Sequence, residues 1–236
     1  MSKRELAALV CPHDSVRKMT TWIELFVILG QLLGEDIGYI YISNFQEFSD
    51  KLPEAGLIYA SPLDALEAKK LGFVPVAMPQ RRDEVVFVAS EPVDLESFDG
   101  AEMAAVCGTF ATRYACSYLK ERGIEPGPIR HFDDCNEVLQ AVRRHEVERG
   151  ALYKDFYDSL DPLSLEGVHT VEITDTGRYG HMLMLHPELA ELRDPLREAL
   201  FRMEEHPIGG DVLQDLELGS WEPVDSLGDI ESLGSC

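Results

Sequence analysis

The sequence predicts an α/β protein of two lobes, and three observations predict it. Short apolar runs alternate with amphipathic helical stretches, the arrangement that builds parallel sheets covered by helices. An acidic, turn-rich stretch, SEPVDLESFDGAE (Ser90–Glu102), interrupts this alternation, as a chain does on leaving one lobe for another. The strand–helix pattern then begins again, and a last strand and helix carrying Leu189, Leu192, Leu196, Leu200 and Met203 bring the chain back to the first lobe. The expected division is lobe 1 over 1–92 and 173–236 and lobe 2 over 93–172, with two hinge crossings and a ligand cleft.

In order along the chain, strands are expected at Leu6–Cys11, Ile37–Ile42, Gly56–Ala60, Val74–Met78 and Val85–Ala89. Between the first two, Trp22, Leu25, Phe26, Leu29 and Leu33 recur at helical spacing and read as a core helix. In ASPLDALEAKKLG, Ser61 suits an N-cap, Pro62 the first helical position, Asp64 a capping box and Gly72 the C-terminal stop. In the second lobe, Met103–Cys107 and Ile129–Phe132 read as strands, and Phe110–Arg122 as a helix stopped by Gly123. Asp134 and Glu137 make a capping box for the helix carrying Val138, Leu139 and Val142. RGALYKDFYDSL reads as a short strand followed by aromatic residues. The return crossing is expected between His169 and Thr176, and the tail from Pro207, with Val212, Leu213, Leu216, Leu218 and Trp221, is expected to pack.

The 236 residues, 45% hydrophobic, suffice for one large or two small cores. Against 21 Lys and Arg stand 43 Asp and Glu, a formal charge of −22. That balance repels nucleic acid and anionic membrane surfaces, and no apolar run reaches the ~18 residues of a membrane span. The first residues, MSKRELAALVCPHDS, are broken by charge and proline before any signal-peptide hydrophobic region. Five cysteines without CxxC spacing give no disulfide framework or zinc set. Reduced thiols and a cytoplasmic location are expected.

Open α/β sheets bind ligands beyond the carboxyl ends of their strands, which selects the loops Cys11–Val16, Ala60–Asp64, Cys107–Arg113, Phe132–Asn136 and Leu152–Phe156. The run VCGTFATRYACSYLKERGI places Gly108, Thr109 and Thr112 where a strand becomes a helix. That pattern serves equally as an ordinary helix cap and as an anion cradle. In CPHDSVRK, His13 can donate to an anion with Ser15, or sit in a surface loop.

Four stretches carry a resemblance that spans nearly the whole chain: LIYASPLDAL, GTFATRYACSYLKERGIEPG, DDCNEVLQAVRRHEVERGALYKDFYDSL and GGDVLQDLELGSWEPVD. The sequence resembles the phosphate/phosphite/phosphonate-binding proteins of ABC importers, in the type II periplasmic binding protein superfamily. The resemblance implies two lobes closing on a tetrahedral oxyanion held by hydroxyls and helix N-termini. It gives Thr109 and Thr112 the donor role, places Tyr59 and Ser61 as contacts after the third strand, and points to Tyr153 and Lys154 in the last ligand loop. Where the family has a Ser-His pair, this chain has Asp134 and Cys135.

The function expected is non-catalytic binding of a small anion, as a sensor, carrier or solute-binding-like protein, with no cofactor and with an unknown protein as a possible partner. Two alternatives stand beside it. One is an enzyme of the same fold acting on a small metabolite, although no GxSxG, Walker, HExxH or dinucleotide motif is present. The other is a thiol site for a thiophilic ligand such as arsenite, built from Cys11, Cys107 and Cys135 at strand ends; buried structural cysteine explains the same positions.

Overall fold

The computed structural model describes residues 5–15, 18–42 and 44–233. Its strands are β1 (Glu5–Val10), β2 (Asp36–Tyr39), β3 (Leu57–Ala60), β4 (Val74–Pro79), β5 (Val85–Ala89), β6 (Met103–Val106), β7 (Ile129–Phe132), β8 (Arg149–Tyr153), β9 (His169–Ile173), β10 (Met182–Leu185) and β11 (Trp221–Pro223). They form two sheets, each in its own compact unit. The first unit runs through Arg82 and resumes over Gly180–Glu231; the second spans Asp83–Tyr179.

In the first unit the strand order is β11-β4-β10-β3-β1-β2. β1 runs parallel to β2 and β3, while β10 is antiparallel to β3 and β4. Helix Met19–Leu33 buries Trp22, Leu25, Phe26 and Leu29 against this sheet, and Gly34, at φ 80°, closes it. The tail packs as expected: Val212, Leu213, Leu216, Leu218 and Trp221 join the same core. Arg193 and Arg197 fasten it further, donating to the carbonyls of Pro75 and Val76 on one side and of Val224 on the other.

The second unit has the order β7-β6-β8-β5-β9, with β6 parallel to β7 and β8, and β5 antiparallel to β8 and β9. Its core is built from Val86 and Val88 of β5 with Ala104, Val138, Leu139, Val142 and Leu152. The boundaries therefore differ from those expected at 92 and 173. β5 belongs to the second unit because its ladder partners are β8 and β9, and the chain leaves that unit only after Tyr179. The segment 169–173, expected to hold the return crossing, is the edge strand β9. Its residues are half exposed, so it lacks the apolar run that marks the buried strands.

Local signals at helix ends hold well. Ser61 accepts the Asp64 N–H, and Asp134 Oδ1 accepts the Glu137 N–H at 2.9 Å. Glu137 reaches back to the N–H of Asp133 at 3.0 Å, one residue before the cap itself. No helix among the described residues is long and apolar enough to cross a membrane.

Candidate functional site

The parallel strands β6, β7 and β8 bring their carboxyl ends to one edge of the second sheet, and a helix starts after each. After β6 the chain turns through Gly108, at φ 67°, a conformation that glycine adopts without Cβ strain. Thr109 then caps helix Phe110–Glu121, its Oγ1 accepting the Thr112 N–H at 3.3 Å. Thr112, 5% exposed, donates its hydroxyl to the Val106 carbonyl at 2.6 Å. The Thr109 hydroxyl lies 3.2 Å from that same carbonyl and 3.1 Å from Thr112 Oγ1.

Both hydroxyls are thus engaged in shaping the turn. What the helix offers outward is the main-chain N–H groups of Phe110 and Ala111. They lie in its first turn, have no acceptor within the helix, and sit at the positive end of its dipole. The hydroxyls of Thr109 and Thr112, expected as donors to a ligand, are thus spent within the turn.

The turn after β7 is of opposite character. Asp134 caps helix Cys135–Arg143, and Asp133, Asp134 and Glu137 surround its first turn with carboxylates. Cys135 is half-buried, and desolvation pushes its thiol pKa up, partly countered by the Tyr153 N–H that it accepts. After β8, the Tyr153 hydroxyl donates to Asp83 and the Lys154 ammonium pairs with Asp158. These two expected ligand donors face carboxylates of the protein instead. Nothing local in the sequence marks Asp83 as the acceptor, since it lies 70 residues before Tyr153.

In the first unit, the carboxyl ends of β1, β3 and β4 share an edge with the start of β10. Tyr59, expected as a ligand contact, is 1% exposed. Its ring packs 4.7 Å from Trp22, 5.3 Å from His181 and 6.3 Å from Trp221, so it serves the core. Ser61 spends its hydroxyl on Asp64 at 2.6 Å. His13 and Ser15 occupy the short helix Pro12–Ser15, but their side chains lie outside the described part of the structure.

Around Tyr59 the structure assembles a polar chain that sequence reasoning missed. Arg81 Nη1 donates to Asp14 Oδ1 at 2.9 Å, and His181 Nε2 lies 3.5 Å from Asp14 Oδ2. His181 also hydrogen-bonds Cys11, whose Sγ is 3.7 Å from Asp64 Oδ2. Burial pushes the Cys11 thiol up to about 11, outweighing the lowering by His181. The group is a Cys-His-Asp sequence of contacts with a protonated, inaccessible sulfur.

The thiol reading weakens on these facts. Cys11 is buried and Cys135 partly so; only Cys107 of the three is exposed. Among the described residues no group of three or more His, Cys, Asp or Glu is arranged to hold a metal ion. Cys116, expected reduced, is disulfide-bonded. Iodoacetamide treatment of the native protein followed by mass spectrometry is expected to label Cys107 first, and Cys11 only after unfolding. Labelling of Cys11 at a rate equal to Cys107 would show that the Cys11 thiol is open to solvent.

A search of curated protein sequences finds no match. Among solved structures the chain is similar to PhnD1 from Prochlorococcus marinus (MIT 9301) in complex with methylphosphonate, at 12% identity and TM-score 0.73, covering 98% of this chain and 97% of that one. It is similar to XAC2383 from Xanthomonas citri bound to chloride ion, at 15% identity and TM-score 0.74, over 97% and 96% of the two chains. A binding protein component of an ABC phosphonate transporter from Pseudomonas aeruginosa, PA3383, matches at 13% identity and TM-score 0.65, over 98% and 86%. At these identities the likeness shows the fold, that of two-lobed type II periplasmic binding proteins. A family model described as "ABC transporter, phosphonate, periplasmic substrate-binding protein" matches residues 9–227, and the chain belongs to that family.

Proposed function

We propose that the protein binds a small phosphate- or phosphonate-like anion without chemical turnover, as a carrier or sensor of that solute. The observation that carries this reading is the first turn of helix Phe110–Glu121. Two main-chain N–H groups sit there at the carboxyl edge of parallel strands, held by a turn whose own hydroxyls are already used. The methylphosphonate held by the Prochlorococcus relative is an anion of this class. The acidic cap at Asp134 disfavours a second strong anionic contact in this unit, so ligands of lower charge are favoured over dianions.

An enzymatic reading draws on the Cys11–His181–Asp14 contacts, which have the order of a nucleophile, a base and an orienting acid. Catalysis would need a thiolate that reaches substrate, and the Cys11 sulfur is both buried and raised to about 11. Non-catalytic binding fits the residues better.

Thermal shift against phosphate, phosphite, sulfate, methylphosphonate and arsenite tests the proposal. A ligand at a hundred times its Kd stabilises by about 2.7 kcal/mol, which in a chain of this size raises Tm by roughly 5–10 °C. A flat response to all five removes small oxyanions as ligands. The compartment has its own readout. A disulfide rarely persists in a reducing cytoplasm, so Cys116 recovered reduced from cells supports the cytoplasmic location, and Cys116 recovered oxidised points to an extracytoplasmic one.

A further inference from the structure

Glu84 is 5% exposed and stands second in the stretch by which the chain joins the second unit. A carboxylate in such a place persists only if its lone pairs are met. They are met fully. Oε1 accepts the N–H groups of Thr176 and Gly177 at 2.9 and 2.8 Å. Oε2 accepts the Tyr114 hydroxyl at 2.9 Å and the Thr174 hydroxyl. Gly177, at φ 63°, lets the two successive N–H groups converge on one oxygen.

These partners are not scattered. Thr174, Thr176 and Gly177 lie in the segment that ends at Tyr179, where the chain leaves the unit. Tyr114 lies one helical turn after Phe110, in the helix whose first turn is the candidate anion site. The same two places are joined a second time by rings. Phe110 packs 5.6 Å from Tyr114 and 5.4 Å from Tyr179, and Tyr114 packs 4.9 Å from Tyr179. The Tyr114 hydroxyl also meets Thr176 Oγ1 at 2.6 Å, closing the network.

We propose that Glu84 is a positioning residue: through Tyr114 it fixes the anion-facing turn at Phe110, and it ties that turn to the 174–179 segment by which the chain leaves the second unit. The proposal rests on the functional reading for the importance of the turn, but the link itself is a property of the ligand-free protein. Strain or order at one end is transmitted to the other by a buried carboxylate and three mutually packed rings, all within one unit.

Amide hydrogen exchange on ligand-free protein tests the link, so that its failure is separate from a failure to bind anions. The reporters are the N–H groups of Thr112 and Arg113, which bond to Thr109 in the turn, and those of Thr176 and Gly177, which bond to Glu84. In Glu84→Gln, exchange is expected to quicken about tenfold at all four. In Tyr114→Phe, which removes only the bridging hydroxyl, Thr112 and Arg113 are expected to quicken several-fold. Tyr118→Phe removes a hydroxyl bonded to Glu172 farther along the same helix and serves as the control, with no change expected at Thr112 and Arg113. Two results overturn the proposal. One is Thr112 and Arg113 staying within twofold of the parent in Tyr114→Phe, which also decides the matter should Glu84→Gln fail to fold. The other is Tyr118→Phe quickening them equally, which would mark a general loosening of the helix.

Discussion

Ala111→Asp is expected to lower anion affinity at least tenfold while leaving Tm at or slightly above that of the parent protein. The two effects have opposite signs for one physical reason. Position 111 lies in the first turn of helix Phe110–Glu121, where a carboxylate interacts favourably with the helix dipole by about 0.3–1 kcal/mol. The same carboxylate repels an anion bound at the N–H groups of that turn. At about 4 Å the repulsion is roughly 1 kcal/mol in bulk water and roughly 4 kcal/mol at an effective dielectric of 20; a loss of about 1.4 kcal/mol is already tenfold. Ala111 is only half buried, so the added side chain has room. Calorimetric titration with methylphosphonate and a melting curve on the same preparation check both signs. Unchanged affinity would move the anion away from this turn, and a large drop in Tm would make the variant uninformative about binding only if Ala111→Ser dropped as far.

Glu84→Leu is expected to lower stability by about 1–3 kcal/mol. Two of the four donors have alternatives. The Thr174 hydroxyl lies 3.3 Å from the Val85 carbonyl, and the Tyr114 hydroxyl already meets Thr176 Oγ1. The N–H groups of Thr176 and Gly177 lose the carboxylate as well, but Thr176 is half-buried and Gly177 exposed, so each costs less than the roughly 1–3 kcal/mol of a fully buried unpaired donor. At roughly 2–4 °C per kcal/mol for a chain of this length, the melting temperature should fall on the order of 5 °C. Urea denaturation gives the same quantity at constant temperature. A loss under about 1 kcal/mol would mean that water or a shifted backbone satisfies both amides.

Much of the local architecture is legible in the sequence because local rules write it. Ser61 with Asp64 and Asp134 with Glu137 announce helix starts within four residues, and both caps form. The apolar runs that become β3, β4 and β5 are continuous because those strands are buried on both faces. What periodicity does not carry is which sheet a buried strand joins. β5 reads the same whether it pairs with β4 or, as it does, with β8 more than 60 residues later. β9 is missed because an edge strand with half-exposed residues leaves little apolar signal.

The strand-to-helix turns were legible in the sequence, and the hydrogen bonds of their side chains were not. The turn at Gly108–Thr109 reads from the sequence as a cap or as an anion cradle alike, and the 2.6 Å bond from Thr112 to the Val106 carbonyl is a contact that the sequence does not announce. Tyr59 was misplaced for a related reason: LIYA is buried at every position, so its tyrosine points into a core rather than at a loop. Asp14–Arg81 and Glu84–Thr176 join residues 67 and 92 positions apart, and no local pattern foretells such pairs.

The most direct test of the account follows backbone amides by nitrogen-15 NMR while methylphosphonate is added to the parent protein. Saturable shifts largest at Phe110 and Ala111, with smaller ones at Thr109 and Thr112, are the predicted result. Tight binding whose largest shifts fall at other residues, with Phe110 and Ala111 unmoved, would contradict it.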